Sequence, residues 1–294
     1  MGYRLTDLAE PTPTKARRPK RRGRRRRRRR LRSIAVLPTL LTLANLLCGF
    51  LAVFVASRPM DTPMLLVDWT PLTVAACLVL LGMVFDALDG RVARLTGSTS
   101  DLGEQLDSMA DMVSFGVAPA FILVQTIGVQ SPFLSADGDT PYDRLGLVIA
   151  GIYVACAGLR LARFNLEKGD AAAGPTLWFD GLPSPGAAGA VASLALLHQH
   201  IWADDHLSLG AGLAAYVLLA ASLLCALTMV SRVKYVHVMN RYVRGRAPFP
   251  TVALGVVVAL LLLVWPQPAA AVGFVAYAVS GPAAAAWRRG SAIH

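Results

Sequence analysis

Charged residues are scarce in this chain of 294 residues, of which only 16% are Asp, Glu, Lys or Arg. Soluble domains have about 25% charged residues. Hydrophobic residues make up 55% of the chain, and its mean hydropathy is +0.51. This composition excludes an ordinary soluble domain and predicts a protein that lies mainly in a membrane.

Cysteine is scarce as well. The four cysteines lie inside apolar runs, and no two of them form a C-x-x-C pair: Cys48, Cys77, Cys156 and Cys225. This pattern argues against a disulfide framework or a zinc site, and we expect four small buried hydrophobic residues. A cleavable signal peptide is not expected, because the first apolar run is too long and lacks a cleavage-site pattern.

Long uncharged apolar runs are what the chain has in abundance. The runs 34–57 and 207–230 each have 24 residues. That length gives roughly 36 Å of helix for a hydrocarbon core of about 30 Å. The sequence therefore predicts an all-α polytopic membrane protein with about eight transmembrane helices. The predicted spans are 34–57, 71–95, 106–130, 145–164, 183–202, 207–230, 249–265 and 268–287.

The formal charge of +11 comes from the N-terminal region, because 14 Lys or Arg residues lie between residues 15 and 32. We predict a disordered, arginine-rich tail over residues 1–33. A catalytic core of six helices follows over 34–230, and a basic loop with two further helices over 231–294. Each base near a membrane adds about 1 kcal/mol of attraction to anionic lipids. We therefore expect the tail to bind anionic lipids and no nucleic acid.

The predicted loops alternate in charge. Arg and Lys follow the second, fourth and sixth spans and occur at both termini, whereas the other loops are acidic or neutral. By the positive-inside rule, the basic ends face the cytoplasm. We expect an integral protein of the plasma membrane with both termini and the active site in the cytoplasm.

Four aspartates interrupt this apolar pattern. Asp86 and Asp89 are three residues apart at the end of the second span, and Asp107 and Asp111 are four apart at the start of the third. Each spacing puts two carboxylates on one helical face. A short linker makes the two helices antiparallel, so the faces meet. Carboxylate oxygens suit Mg²⁺ or Mn²⁺, and two cations bridged by shared carboxylates would suit displacement at phosphorus.

Two other interpretations of the aspartates stay open. They can be ordinary interfacial charges paired with Arg91 and Arg94, although the regular spacing of four carboxylates favours a site. They can also bind a permeating cation in a cation-coupled transporter. Transporter sites tend to lie near the middle of the bilayer, whereas these charges gather at one membrane face.

The aspartates belong to a longer motif. Residues 86–111 fit D-x2-D-G-x2-A-R-x8-G-x3-D-x3-D at all eight fixed positions. The motif resembles that of the CDP-alcohol phosphotransferases, integral membrane enzymes that make phospholipids from CDP-activated lipids. The resemblance implies that family's fold, a homodimer and CDP-diacylglycerol as a substrate. It also implies a reaction in which an acceptor hydroxyl attacks the lipid-linked phosphorus and CMP leaves.

The same resemblance implies roles for the motif residues. One divalent cation, Mg²⁺ or Mn²⁺, would be held by Asp86, Asp89 and Asp107. A second would be held by Asp86, Asp107 and Asp111, and Asp111 would also be the general base. The motif region implied to bind the CDP-lipid comprises Gly90, Arg94, Ser100 and Gly103.

Three further stretches resemble the phosphatidylserine synthase branch of that family and imply L-serine as the acceptor. They are 37–50, 107–120 and 160–165 together with 179–189. In the third stretch, Arg160, Arg163 and Asn165 are candidate acceptor-binding residues. An arginine fork suits a phosphate as well as a carboxylate, so glycerol 3-phosphate and inositol phosphate stay open as acceptors. The two arginines can also be anchors for lipid headgroups.

Two polar residues lie within the first apolar span. Asn45 can form a hydrogen bond with a neighbouring helix or line the nucleotide pocket, and Thr42 has the same two possible roles. We include both residues among the candidate contacts to the CDP-lipid.

Overall fold

The computed structural model describes residues 21–62, 69–96, 101–134, 141–169, 178–202, 208–236, 260–261 and 263–291. Long helices dominate these residues, and one antiparallel ribbon of two short strands joins them. The elements are α1 (Arg21–Ala56), α2 (Pro71–Thr96), α3 (Asp101–Asp111), a π-helical segment (Met112–Val117), α4 (Ala118–Leu134), α5 (Pro141–Gly169), β1 (Trp178–Asp180), α6 (Ser184–Trp202), α7 (Leu209–Val230), β2 (Lys234–Val236) and α8 (Pro266–Ser291).

Six described stretches are long and apolar enough to cross a membrane: Leu37–Ala56, Pro71–Thr96, Leu102–Val129, Asp143–Leu166, Leu209–Val230 and Pro266–Trp287. They confirm the prediction of an all-α polytopic membrane protein. The predicted number of eight is not confirmed. The predicted span 249–265 lies mostly outside the described residues, and the predicted span 183–202 forms α6, which is not among the six.

Helix α6 differs from the others because it is the central helix of the bundle. It contacts α2, α4, α7 and α8, and small buried residues fill most of its surface. Small residues let neighbouring helices approach closely. Near its end, Gln199 Oε1 accepts a hydrogen bond of 3.1 Å from Thr70, and His198 Nε2 lies 3.2 Å from the carbonyl oxygen of Ala211. These polar side chains lower the hydropathy of α6, but they are buried within the bundle and are not exposed to lipid.

Helix α1 begins earlier than predicted. Disorder was expected over residues 1–33, but α1 starts at Arg21, so residues 21–33 are helical in this structure. Arginine has a high helix propensity, and neither glycine nor proline occurs between Gly23 and Pro38, which itself lies inside the helix. Residues 1–20 lie outside the described part of the chain.

Helices α1 and α2 form a tight antiparallel pair, and α3 with the π-helical segment packs across α1. Glycines allow both contacts. A Cβ atom on Gly82 of α2 would lie 2.9 Å from Asn45 Oδ1, and one on Gly49 of α1 would lie 2.7 Å from the Cα of Ser114. The backbones therefore meet where a larger residue would separate them, and this close approach positions the aspartate-bearing helices.

Gly49→Ala should destabilise the protein, because its methyl group would meet the Ser114 backbone at 2.7–2.9 Å. Overpacking of this kind costs about 1–3 kcal/mol. Thermal unfolding in detergent should show a lower midpoint for this variant. Gly212→Ala is the matched control, since a Cβ atom there meets nothing within 4 Å. Equal midpoints for the two variants would show that the contact between Gly49 and Ser114 is loose.

The ribbon pairs Trp178 with Val236 and Asp180 with Lys234. Gly181 follows β1 with φ +83°, a left-handed conformation that glycine adopts readily. Its backbone N–H donates to Val233 O at 2.8 Å, and the next residue, Leu182, donates to Thr228 O at 3.1 Å. The ribbon thus ties the start of α6 to the end of α7.

Candidate active site

Three of the four motif aspartates converge between α2 and α3. Asp86 and Asp89 lie one turn apart on α2, and Asp107 lies on α3. One carboxylate oxygen from each residue lies within 4.8 Å of the other two. Oxygens on opposite sides of a Mg²⁺ ion are about 4.2 Å apart, because Mg–O distances are about 2.1 Å. The donor type and its spacing therefore fit a hard divalent cation.

Asp111 lies one turn after Asp107 and beside this group of three. Its strongest electrostatic interaction with another aspartate is with Asp86, and the next strongest is with Asp107. Asn45 Nδ2 donates a hydrogen bond of 3.2 Å to Asp111 Oδ1. The structure thus brings the four predicted aspartates together, and α1 contributes the amide that holds the fourth.

Helix α1 also holds Asp89. Thr42 Oγ1 lies 2.8 Å from Asp89 Oδ2 and 3.0 Å from the carbonyl oxygen of Pro38, and it donates to one of them at a time. Thr42 and Asp89 are both buried. Thr42 and Asn45 were predicted as contacts to the CDP-lipid. Their contacts within the structure are with carboxylates, which matches the alternative prediction of bonds to neighbouring helices.

Asn45 is fixed on several sides. It is fully buried, and its backbone carbonyl accepts a hydrogen bond of 2.8 Å from Ser114 Oγ. Gly82 leaves the space that the side-chain amide occupies. Because its amide is packed in place, Asn45 can orient the Asp111 carboxylate. The signal in the sequence was a pair of polar residues three apart within an apolar span.

The π-helical segment begins directly after Asp111, and the sequence analysis missed it. A π-helical turn is wider than an α-helical turn and often occurs at functional sites. Two side-chain hydrogen bonds connect this segment to its neighbours. Ser114 Oγ donates to Asn45 O of α1, and the Tyr153 hydroxyl of α5 donates to Phe115 O at 3.1 Å. The widened turn therefore anchors the helix immediately after Asp111 to both α1 and α5.

The residues predicted to bind the CDP moiety lie around the end of α2. A Cβ atom on Gly90 would meet nothing within 4 Å, so the space above this glycine is open. Arg94 is exposed, and its Nε donates to Gly90 O at 2.9 Å. Gly103 is half-buried on α3, and Ser100 lies outside the described residues.

The predicted acceptor-binding residues lie on α5 but point to different neighbours. Asn165 Nδ2 donates to Ser108 Oγ at 3.0 Å, which places Asn165 beside the helix turn between Asp107 and Asp111. Arg160 Nη1 donates to Ser184 Oγ at 3.0 Å, at the start of α6. Arg163 is half-buried, one turn from Arg160.

Comparison with known proteins gives a match to one protein family. The family model described as CDP-alcohol phosphatidyltransferase matches residues 35–224. These residues include all four aspartates, α1 from its membrane segment onward and the predicted acceptor-binding residues of α5. The C-terminal helix α8 lies beyond the match.

Curated relatives are similar over most of that region. The chain is 30% identical to the CDP-diacylglycerol–serine O-phosphatidyltransferase of Helicobacter pylori strain 26695, over 67% of this chain and 70% of the relative. It is 30% identical to the protein of that name from Bacillus subtilis, over 68% of this chain and 90% of the relative. It is 33% identical to the archaetidylserine synthase of Methanothermobacter thermautotrophicus, over 69% of this chain and 70% of the relative.

Proposed function

Because this chain belongs to the CDP-alcohol phosphatidyltransferase family, we propose that it transfers a phosphatidyl group from CDP-diacylglycerol to the hydroxyl of L-serine. The products are phosphatidylserine and CMP. The names of the two bacterial relatives contain both substrates, and the Bacillus subtilis protein matches this chain over 90% of its own length. The site that carries the proposal is the group formed by Asp86, Asp89 and Asp107, whose oxygens fit a divalent cation.

The four carboxylates would bind two divalent cations, Mg²⁺ or Mn²⁺. Asp86, Asp89 and Asp107 would hold one, and Asp86, Asp107 and Asp111 the other. When bound, such cations polarise a diphosphate and neutralise the charge that develops on its leaving group. The hydrogen bond from Thr42 to Asp89 supports this arrangement, because it fixes the orientation of one ligand carboxylate.

Asp111 would act as the general base. The hydroxyl oxygen of serine forms a bond with the lipid-linked phosphorus, the bond from that phosphorus to the CMP oxygen breaks, and Asp111 receives the hydroxyl proton. Asn45 holds Asp111 Oδ1 at 3.2 Å, so the other carboxylate oxygen can face the acceptor. Gly90 supports placement of the CDP moiety at the end of α2, because the space above it is open. Arg94, Gly103 and Ser100 would complete that side.

The acceptor would lie between α5 and the aspartates. Asn165 bonds to Ser108, next to Asp107, and Arg160 lies more than one turn earlier on the same helix. A guanidinium group can bind the carboxylate of serine. Arg163 would add positive charge on this side of the site.

We place the catalytic core in residues 34–230 and the basic loop with the further helices in 231–294. The protein would be a homodimer of the plasma membrane with both termini and the active site in the cytoplasm. The arginine-rich tail over residues 1–33 would bind anionic lipids, because each base near the surface adds about 1 kcal/mol of attraction.

An acceptor assay tests the proposed function. Purified protein in detergent is given CDP-diacylglycerol, Mn²⁺ or Mg²⁺, and labelled L-serine, glycerol 3-phosphate or inositol phosphate in turn. We expect labelled lipid and CMP with serine only. Lipid formed only from a phosphorylated acceptor would replace the serine assignment. If no acceptor releases CMP and the reconstituted protein carries cations into liposomes, the enzyme assignment is wrong and the transporter alternative is right.

A further inference from the structure

Helix α8 lies beyond the residues that the family model matches, yet it covers the start of α6. Two of its aromatic rings sit on glycines of that helix. A Cβ atom on Gly186 would lie 2.9 Å from Tyr277 Cε1, and one on Gly189 would collide with the ring of Phe274. Gly186 and Gly189 thus let α8 approach α6 closely. Gly186, which contacts Tyr277, lies two residues after Ser184.

Tyr235 of β2 holds this helix in place. Its hydroxyl donates a hydrogen bond of 2.8 Å to Ala278 O, and its ring lies 5.8 Å from that of Tyr277 at an angle of 55°. Burial raises the pKa of Tyr235, so its phenol stays protonated and remains a donor. Tyr235 therefore has a structural role, because its hydroxyl is used within the fold.

The hydroxyl of Tyr277 is used differently. It makes no hydrogen bond within the part of the chain that the structure describes, and its side chain is half-buried. Tyr277 lies close enough to Arg160 for the two side chains to interact electrostatically. Arg160 in turn donates to Ser184. A guanidinium group, a hydroxyl and a phenol therefore gather where α5, α6 and α8 meet.

Helix α5 contacts the aspartate-bearing helix and its π-helical continuation on both sides of Arg160. On one side of Arg160 along α5, the Cβ atom of Ala157 would lie 3.5 Å from a Cβ atom on Gly116, in the π-helical segment. On the other side, Asn165 bonds to Ser108. Arg160 is thus flanked by two contacts with the helix that carries Asp107 and Asp111, while its side chain turns towards α6 and α8.

We infer that Tyr277 is a specificity-determining residue of the acceptor site, where it binds the ammonium group of an amino-acid acceptor whose carboxylate binds Arg160. A phenol oxygen accepts a hydrogen bond from an ammonium group, and the ring face attracts the same charge. A phosphorylated acceptor such as glycerol 3-phosphate has no ammonium group to use this contact. The inference rests on the proposed function and adds to it a residue outside the matched region.

Steady-state kinetics with Tyr277→Phe tests this inference. The variant keeps the ring and removes the phenol oxygen, so we expect KM for L-serine to rise about 10-fold or more. KM for CDP-diacylglycerol should stay within about 2-fold of that of the native protein. Serine should also raise the unfolding midpoint of the native protein more than that of the variant, which reports binding without turnover.

The substrate analogue 3-hydroxypropionate sharpens the test, because it is serine without the ammonium group. The native protein should prefer serine to this analogue, and Tyr277→Phe should reduce that preference by the same factor by which it raises KM for serine. Tyr235→Phe is the matched control. It removes a phenol that bonds within the fold, so it should lower the unfolding midpoint and leave the preference unchanged.

The outcomes separate the inference from the proposed function. If the native protein uses serine and Tyr277→Phe leaves both KM and the preference unchanged, the inference is wrong and the proposed function stands. If the two variants alter the preference equally, Tyr277 acts only through packing, and the inference is again wrong. If the native protein uses only a phosphorylated acceptor, the proposed function fails, and recognition of an ammonium group fails with it.

Discussion

Asp111→Asn should lower kcat by about 10²–10⁴-fold, the usual contribution of a general base. The amide has nearly the same shape as the carboxylate but cannot take the proton of the acceptor hydroxyl. Its side chain can still accept the hydrogen bond of 3.2 Å from Asn45, so the helix packing around α1 should persist. Rates of CMP release and the thermal unfolding midpoint, measured on the same preparation, check both parts of the prediction.

Glu104→Gln is the matched control for that variant. It makes the same change from carboxylate to amide on the same helix, at an exposed position away from the hydrogen bond to Asn45. We expect activity within about 2-fold of that of the native protein, since surface substitutions usually have small effects. Native-like activity in Asp111→Asn would remove the assignment of the base, whereas equal losses in both variants would indicate a nonspecific effect of charge.

Asp86→Asn should have a large effect on cation binding, because Asp86 is one of the two residues, with Asp107, that are assigned to both cation sites. Loss of the transition-state stabilisation that the cations supply should lower activity by about 10³-fold. In the native protein, Mn²⁺ at 100 times its dissociation constant should stabilise the fold by about 2.7 kcal/mol. This stabilisation should largely disappear in Asp86→Asn, and the shift of the unfolding midpoint with added Mn²⁺ measures it.

Without the cation, Asp86→Asn should be at least as stable as the native protein. In EDTA, Asp86 adds electrostatic repulsion to Asp89 and Asp107, so its replacement should leave the unfolding midpoint unchanged or raise it. Asp61→Asn, at an exposed position outside the site, is the control and should keep the full shift with Mn²⁺. A full shift in Asp86→Asn as well would show that the cation binds elsewhere.

Much of the candidate site could be read from the spacing of charged residues. A spacing of three or four residues puts two side chains on one helical face whatever the surroundings. Asp86 and Asp89 therefore lie on one face of α2, and Asp107 and Asp111 lie on one face of α3. The short connection between the two helices then left an antiparallel arrangement as the simple solution, and the three converging carboxylates agree with it.

Other features depended on contacts that no local pattern encodes. The π-helical segment depends on bonds from Ser114 to α1 and from Tyr153 to Phe115, which join residues 69 and 38 positions apart. Asn45 could be recognised as a polar residue in an apolar span, but its partner Asp111 is 66 positions away.

The sequence by itself determined that the protein is a helical membrane protein, which motif it carries and which carboxylates share a face. These properties follow from hydropathy and from helical periodicity, which act over a few residues at a time. Only the tertiary structure decided that α1 holds Asp89 and Asp111, and that α8 brings Tyr277 to Arg160. Such contacts depend on how whole helices pack, and the close approaches at Gly49, Gly82 and Gly186 set that packing.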